Sequence, residues 1–92
     1  MKKIPLPESQ VQEVLFELIN RLFIDRRTMM LACAVSNLTA IISILRNKGL
    51  NIVSNKINSV NKYNREIKFV QYSLENKKEA VIIYMEMKAN QS

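Results

Sequence analysis

The chain has no histidine and no tryptophan, and it has one glycine, one cysteine and two prolines among its 92 residues. The absence of histidine excludes histidine-based acid–base catalysis, histidine-activated nucleophiles and histidine metal ligands. A single glycine cannot build a glycine-rich phosphate loop, and a single cysteine cannot build a zinc site. We therefore expect no enzymatic activity, no metal site and no cofactor.

Long apolar runs are also missing. No uninterrupted stretch approaches the roughly 20 residues that cross a bilayer, and Pro5 interrupts the basic start of the chain before the core of a signal peptide begins. Cys33 has no partner for an internal disulfide, which is typical of a reducing compartment. Its apolar neighbours favour a small buried hydrophobe over a reactive thiol. These features predict a cytoplasmic protein without a membrane segment.

Hydrophobic residues make up 48% of the chain, which is enough for one small folded domain. The net charge of +6 is unevenly distributed, because residues 8–25 carry −3 and residues 46–68 carry +5. A basic surface attracts polyphosphate through its long-range field and counterion release. Ordinary solvated lysines explain a charge run by itself equally well.

The first predicted helix runs from about Ser9 to Phe23, after a proline-containing lead-in over residues 1–8. Its apolar positions cover an arc of roughly 200°, wider than a surface helix needs. Phe16 and Phe23 lie at the edge of that arc. A helix of this kind either packs on two sides or pairs with another subunit.

Two shorter helices are predicted next. Asp25 is suited to cap a helix from Arg26 to Cys33 or Ala34. Ser36 or Asn37 then caps a third helix, which Gly49 closes. Apolar residues of the third helix recur at i, i+3, i+4 and i+7 and so share one face; they are Leu38, Ile41, Ile42 and Leu45. The other side carries Thr39, Ala40, Ser43, Arg46 and Asn47.

Residues 52–60 and 67–74 have the pattern of two antiparallel strands around a turn at residues 61–65. The lysines and asparagines of the first strand favour an exposed edge. The order of elements predicts an α+β, mainly α fold: a winged helix-turn-helix with three helices, a two-stranded hairpin wing and a C-terminal helix.

The last segment, residues 76–89, is ambiguous. Asn76 with Glu79 three residues later resembles a capping box, whereas the apolar run at residues 81–85 also suits a strand; we favour a helix. The expected division is a lead-in at 1–8, a winged domain at 9–74 and a dimerising extension at 75–92. Because the first and last segments expose too much hydrocarbon for a monomer, we expect a homodimer interface formed by Phe16, Phe23, Val81, Ile82, Tyr84 and Met85.

The run Leu38…Ile42…Leu45-Arg46…Gly49…Ile52, followed by Val70…Tyr72…Leu74, resembles a family of small winged helix-turn-helix DNA-binding domains of phages and prophages. The similarity covers about residues 25–74. In that family the recognition helix has the form Leu-x3-Ile-x2-Leu-Arg-x2-Gly, and the hairpin ends in Tyr-x-Leu. Two positions depart from the family pattern: Ile41 stands at an often basic position, and Tyr63-Asn64 replaces a glycine at the hairpin tip.

These features together predict that helix 37–48 lies in a DNA major groove, where short polar and long donor side chains read base edges. The hairpin 52–74 acts as a wing that binds phosphate or enters the minor groove. The candidate DNA-contacting residues are Arg26, Arg27, Asn37, Thr39, Ser43, Arg46, Asn47, Lys62 and Arg65.

The preferred hypothesis is a small transcriptional regulator of a phage or mobile element that binds double-stranded DNA. The alternative is an adaptor that keeps the winged fold but docks a protein partner through its apolar arcs and Ile44. RNA binding ranks below both, because aromatic residues are sparse on the predicted strands. Affinity measured at several salt concentrations distinguishes the DNA-binding hypothesis from the adaptor hypothesis, because DNA affinity falls steeply with ionic strength and the affinity of apolar docking does not.

Overall fold

The computed structural model of the protein describes residues 4–90, which form an α+β fold of four helices and a three-stranded antiparallel sheet. The helices are α1 (Gln10–Asn20), α2 (Arg26–Cys33), α3 (Leu38–Asn47) and α4 (Lys77–Ala89). The strands are β1 (Ile24–Asp25), β2 (Ile52–Val60) and β3 (Glu66–Leu74). None of the helices within residues 4–90 has the length and apolarity needed to span a bilayer.

The predicted capping side chains are in place on α2, α3 and α4. Their Oδ1 atoms accept hydrogen bonds from backbone N–H groups of the first turn, at 2.7 Å for Asp25, 3.3 Å for Asn37 and 3.4 Å for Asn76. These bonds satisfy N–H groups that have no partner within the helix. Gly49 follows α3 with a φ of 96°, a conformation that favours glycine. The ambiguous last segment is therefore a helix, as we favoured.

One hydrophobic core joins the four helices to the root of the sheet. The predicted inward face of α3 lies in it, and α4 contributes two residues, so the segment after residue 75 shares the core of the preceding part. The buried apolar residues are Val14, Leu15, Leu18, Ile24, Met29, Val35, Leu38, Ile41, Ile42, Leu45, Leu50, Ile52, Leu74, Ala80 and Tyr84.

Tyr84 is fully buried within the chain, so its assignment to a dimer interface is wrong. Its hydroxyl donates a hydrogen bond to the carbonyl oxygen of Pro5 at 2.6 Å, and its ring centroid lies 6.1 Å from that of the half-buried Phe16. A tyrosine whose hydroxyl has a partner is a stable core residue. Burial, with the charge of Glu8 as a second cause, raises the pKa of the hydroxyl. Tyr84 therefore attaches α4 to α1 and to the lead-in.

The sheet has one more strand than the sequence predicts. Its order is β1-β3-β2, with all neighbours antiparallel. The hairpin pairs nine residues of β2 with nine of β3, from Ile52 opposite Leu74 to Val60 opposite Glu66. The unpredicted β1 adds only two pairs on the other side of β3, where Ile24 lies opposite Tyr72. Strand β2 is the exposed edge that its polar residues indicate.

Candidate nucleic-acid interface

The turn between α2 and α3 sets the direction of the third helix. The chain direction changes by 96° between the two helices. Ala34 adopts the left-handed conformation, with a φ of 55°, and its N–H bonds back to the carbonyl oxygen of Met30 at 2.9 Å. The next residue, Val35, is fully buried. The buried Val35 therefore fixes the turn to the core, and the axis of α3 is nearly perpendicular to that of α2.

The outward face of α3 is polar and exposed. Thr39, Ser43 and Asn47 follow one another at intervals of four residues and are all exposed, while the opposite face is buried. Side chains at this spacing lie on one side of a helix. The predicted inward and outward faces of α3 are thus both confirmed. Asn37 stands at the start of the helix, where its side-chain oxygen acts as the cap.

Arg46 is engaged within the chain. Its guanidinium donates hydrogen bonds to the carbonyl oxygen of Ile52, from Nε at 3.2 Å and from Nη2 at 2.9 Å. The side chain therefore links α3 to the first residue of β2, and its contact with guanine or phosphate stays a prediction. Its charge still adds to the field of this surface.

A groove of about 880 Å³ lies between α2, the start of α3 and strand β3. It brings together four of the predicted residues, Arg26, Arg27, Asn37 and Thr39, with Lys68 of β3. Asp25 is the one acid among the lining residues, and its carboxylate is engaged as the cap of α2. The full lining is Asp25, Arg26, Arg27, Met30, Ser36, Asn37, Leu38, Thr39, Ile67, Lys68, Phe69, Val70 and Tyr72.

The tip of the hairpin is organised by a side chain that the sequence reading did not single out. The Oδ1 atom of Asn61 accepts hydrogen bonds from the N–H groups of Tyr63 and Arg65, each at 2.9 Å. Asn64 adopts a φ of 63°, as its tolerance of the left-handed region allows. Lys62 and Arg65 are exposed at this turn. Asparagine at the start of a tight turn is the signal that identifies Asn61.

The predicted contact residues therefore form three groups rather than one. The groove holds the first group, the outer face of α3 holds Ser43 and Asn47, and the hairpin tip holds Lys62 and Arg65. Eight residue steps of β2 separate the tip from the hairpin root, roughly 27 Å at the rise of an extended strand. A ligand that touches all three groups must be long.

Two further lysines of the hairpin, Lys56 and Lys68, were not among the predicted DNA-contacting residues. Lys56 lies opposite Val70, and Lys68 lies opposite Asn58. Both lysines share the sheet face that carries Ile52 and Leu74, because alternate strand residues face the same side. Both lysines can be identified from the sequence by counting every second residue from the buried pair Ile52 and Leu74.

Cys33 offers no nucleophile. The thiol is partly buried, and this burial, followed by a hydrogen bond to Glu13 and the charges of Glu13 and Glu17, raises its pKa to about 11. The thiol therefore stays protonated at neutral pH. Across residues 4–90, no group of three or more histidine, cysteine or acidic side chains lies close enough to hold a metal ion.

Comparison with protein families, with curated proteins and with solved structures finds no match to this chain. The roles of the residues above therefore depend on the sequence and the geometry alone.

Proposed function

We propose that the chain is a double-stranded-DNA-binding protein with a winged helix-turn-helix, in which α3 is the recognition helix and the β2–β3 hairpin is the wing. The 96° change of direction across the four-residue turn at 34–37 supports this, because helix-turn-helix pairs meet at about 90–120° through turns of three or four residues. The strand order β1-β3-β2 leaves the hairpin protruding beyond its short partner β1.

The observation that carries the proposal is the exposed polar face of α3 beside a cationic groove. In this arrangement Thr39, Ser43 and Asn47 contact base edges in the major groove. Arg26, Arg27 and Lys68 contact the phosphate backbone from the groove. Lys62 and Arg65 contact phosphates or the minor groove at the far end of the hairpin.

A homodimer fits the remaining surface, and it would place two recognition helices on successive turns of DNA. Ile82 and Met85 of α4 are 60% and 44% exposed, and Phe23, beyond the end of α1, is 48% exposed. Val81 is half-buried beside them on α4. We assign the pairing surface to these four residues, and we propose a small transcriptional regulator of a phage or mobile element as the biological role.

The deciding experiment measures the affinity for a fluorescein-labelled DNA duplex at several salt concentrations. The logarithm of the association constant should fall linearly with the logarithm of salt concentration, with a slope of about −0.9 for each phosphate contact. The double change Arg26→Ala with Arg27→Ala should flatten the slope by about 2. Lys78→Ala is the matched control, since Lys78 is an exposed cation on α4. Equal losses in both proteins would refute a DNA surface at the groove.

The second candidate is a protein-interaction adaptor with the same fold. It is favoured by strongly exposed apolar side chains, among them Leu22 and Leu31. Binding through these residues should change little between 50 mM and 500 mM salt, because apolar burial is not screened. Salt-independent pairing with a protein, together with no measurable affinity for duplex DNA, would replace the DNA proposal with this one.

A further inference from the structure

Strand β3 has an open edge. Strand β1 ends at Asp25, which lies opposite Gln71, and α2 begins at the next residue. The same register places Arg26, the first residue of α2, opposite Val70, and within residues 4–90 no strand continues β1 alongside residues 66–69 of β3. Four strand residues, roughly 13 Å of backbone, therefore have a neighbouring strand on the β2 side only.

The hydrogen-bonding groups of this edge point into the groove. Hydrogen bonds from the N–H of Glu75 to Asn51 and from the N–H of Asn61 to Arg65 mark the two ends of the hairpin ladder. Hydrogen-bonded pairs alternate with non-hydrogen-bonded pairs in an antiparallel ladder, so Phe69 bonds to β2. The N–H and C=O groups of Glu66 and Lys68 consequently face away from β2, toward the side where β1 does not continue, whereas those of Val70 face Arg26.

The walls of the groove are chemically selective. Arg26, Arg27 and Lys68 supply three positive charges. The acids beside them are Asp25, whose carboxylate caps α2, and Glu66 at the end of the open edge. Met30, Phe69 and Tyr72 supply apolar surface. The groove volume of about 880 Å³ falls within the range of sites that enclose a ligand.

We propose that this groove binds an extended peptide with alternating apolar and acidic side chains, which adds to the sheet as a strand in continuation of β1. Main-chain hydrogen bonds to Glu66 and Lys68 hold the peptide, as in other cases of strand addition. Successive strand residues face opposite sides, so the acidic side chains of the peptide lie on the side of Lys68 and the apolar ones on the side of Phe69. DNA has no peptide backbone, so only a peptide can form the hydrogen bonds of a β-ladder with these N–H and C=O groups. This inference goes beyond DNA binding, and because both ligands use Arg26, Arg27 and Lys68, the peptide and duplex DNA should compete for the groove.

The probe is a fluorescein-labelled ten-residue peptide of alternating valine and glutamate, and the readout is amide hydrogen exchange of the full chain. Saturating peptide should slow exchange at Glu66 and Lys68 at least tenfold. The amide of Phe69 is the internal control, because it already bonds to β2 and should not change. Exchange at Glu66 and Lys68 that is unaffected by saturating peptide would overturn the proposal.

Two substitutions at Lys68 separate the contribution of the backbone hydrogen bonds to peptide affinity from that of the side-chain charge. Lys68→Pro removes both the open-edge N–H and the side-chain cation, and proline is tolerated where a strand N–H faces outward. Lys68→Ala removes the cation alone. Peptide affinity should fall at least tenfold further in Lys68→Pro than in Lys68→Ala, whereas DNA affinity should fall equally in both. Equal peptide affinity in the two variants would overturn the proposal.

Three altered peptides complete the test without a change to the protein. N-methylation of every second amide, in either register, should abolish binding in the register that faces β3, and replacement of glutamate by lysine should abolish it outright. If neither N-methylated peptide loses affinity, no ladder forms and the proposal fails. If duplex DNA protects this groove from chemical labelling and the valine–glutamate peptide does not bind, the groove belongs to the nucleic-acid interface and the proposal is likewise overturned.

Discussion

The guanidinium of Arg46 donates two hydrogen bonds to the carbonyl oxygen of Ile52, six residues further along the chain. Arg46 lies in the last turn of α3, and Ile52 begins β2. The carbonyl of Ile52 faces away from β3, because the hairpin ladder bonds through its odd-numbered residues. The contact therefore uses an open backbone group to set the angle of the hairpin against the helix.

Replacing Arg46 by alanine should lower the free energy of unfolding by about 1 kcal/mol, the usual net contribution of a hydrogen bond. Arg46→Lys should recover only part of this, since one ammonium does not reproduce the fork of a guanidinium. Urea denaturation measures both variants. Lys48→Ala is the control, because Lys48 is exposed and lies just after the same helix. An Arg46→Ala midpoint equal to that of Lys48→Ala would show that the contact contributes nothing.

Asn37 should combine a capping role with a DNA-contacting role, and two substitutions separate them. Asn37→Ala should cost about 1 kcal/mol of stability through loss of the cap. Asn37→Asp keeps the capping oxygen, so its melting temperature should match wild type while its new charge weakens DNA binding. Thermal unfolding and duplex titration test this pair. Unchanged DNA affinity in Asn37→Asp would remove Asn37 from the contact surface.

Ser43 and Asn47 should determine which DNA sequence is preferred. Their side chains are exposed on the outer face of α3, so alanine at either position should leave stability within about 0.5 kcal/mol of wild type. Selection from a random pool of duplexes should return altered sites for both variants. Identical selected sites would mean that α3 does not read bases.

The two sides of α4 should respond differently to substitution. Tyr84→Phe removes the hydrogen bond to Pro5 and should destabilise the fold by about 1 kcal/mol, with no effect on subunit association. Ile82→Glu places a charge on the exposed side and should convert a dimer to a monomer without lowering monomer stability. Sedimentation at several concentrations measures the association. A wild-type chain that sediments as a monomer at 100 μM contradicts the dimer.

Cys33 should make the fold less stable at alkaline pH. The folded chain raises the pKa of the thiol from 9.0 to about 11, so the unfolded state loses the proton first. Since the unfolded state then binds fewer protons, the free energy of unfolding should fall as pH rises from about 9 to about 11. Urea midpoints at pH 8, 9.5 and 10.5 measure the fall, and Cys33→Ala should show a smaller one. Equal falls in both proteins would contradict the shifted pKa.

The local part of the fold could be predicted from the sequence. The helix starts could be predicted at Asp25, Asn37 and Asn76, because the oxygen of a short side chain reaches only the backbone N–H groups of the next few residues. Strand β3 follows from the alternation of apolar and polar residues that ends at Leu74, and the structure extends it by one residue to Glu66. The buried and exposed faces of α3 follow from helical periodicity alone. Each of these signals depends on residues within a few positions of one another.

The remaining features depend on partners that are distant in the sequence. Strand β1 has two residues, too few for a pattern, and exists because Tyr72 lies beside Ile24 in the fold. Tyr84 lies in the apolar run at residues 81–85, and the carbonyl of Pro5, 79 residues away, accepts the hydrogen bond that its buried hydroxyl needs. The direction of Arg46 likewise depends on the open carbonyl of Ile52, which local spacing does not reveal.

The lead-in is tied along α4 by three contacts, because Tyr84 bonds to Pro5 while the ammonium of Lys88 bonds to the carbonyl of Leu6 and the carboxylate of Glu8. The start of the described chain consequently lies beside the last two turns of α4, which ends at Ala89. Joining the first and last described residues through a flexible linker and reopening the chain at the hairpin tip should yield a circular permutant with the same core. Such a permutant would present each half of the wing as a free tail.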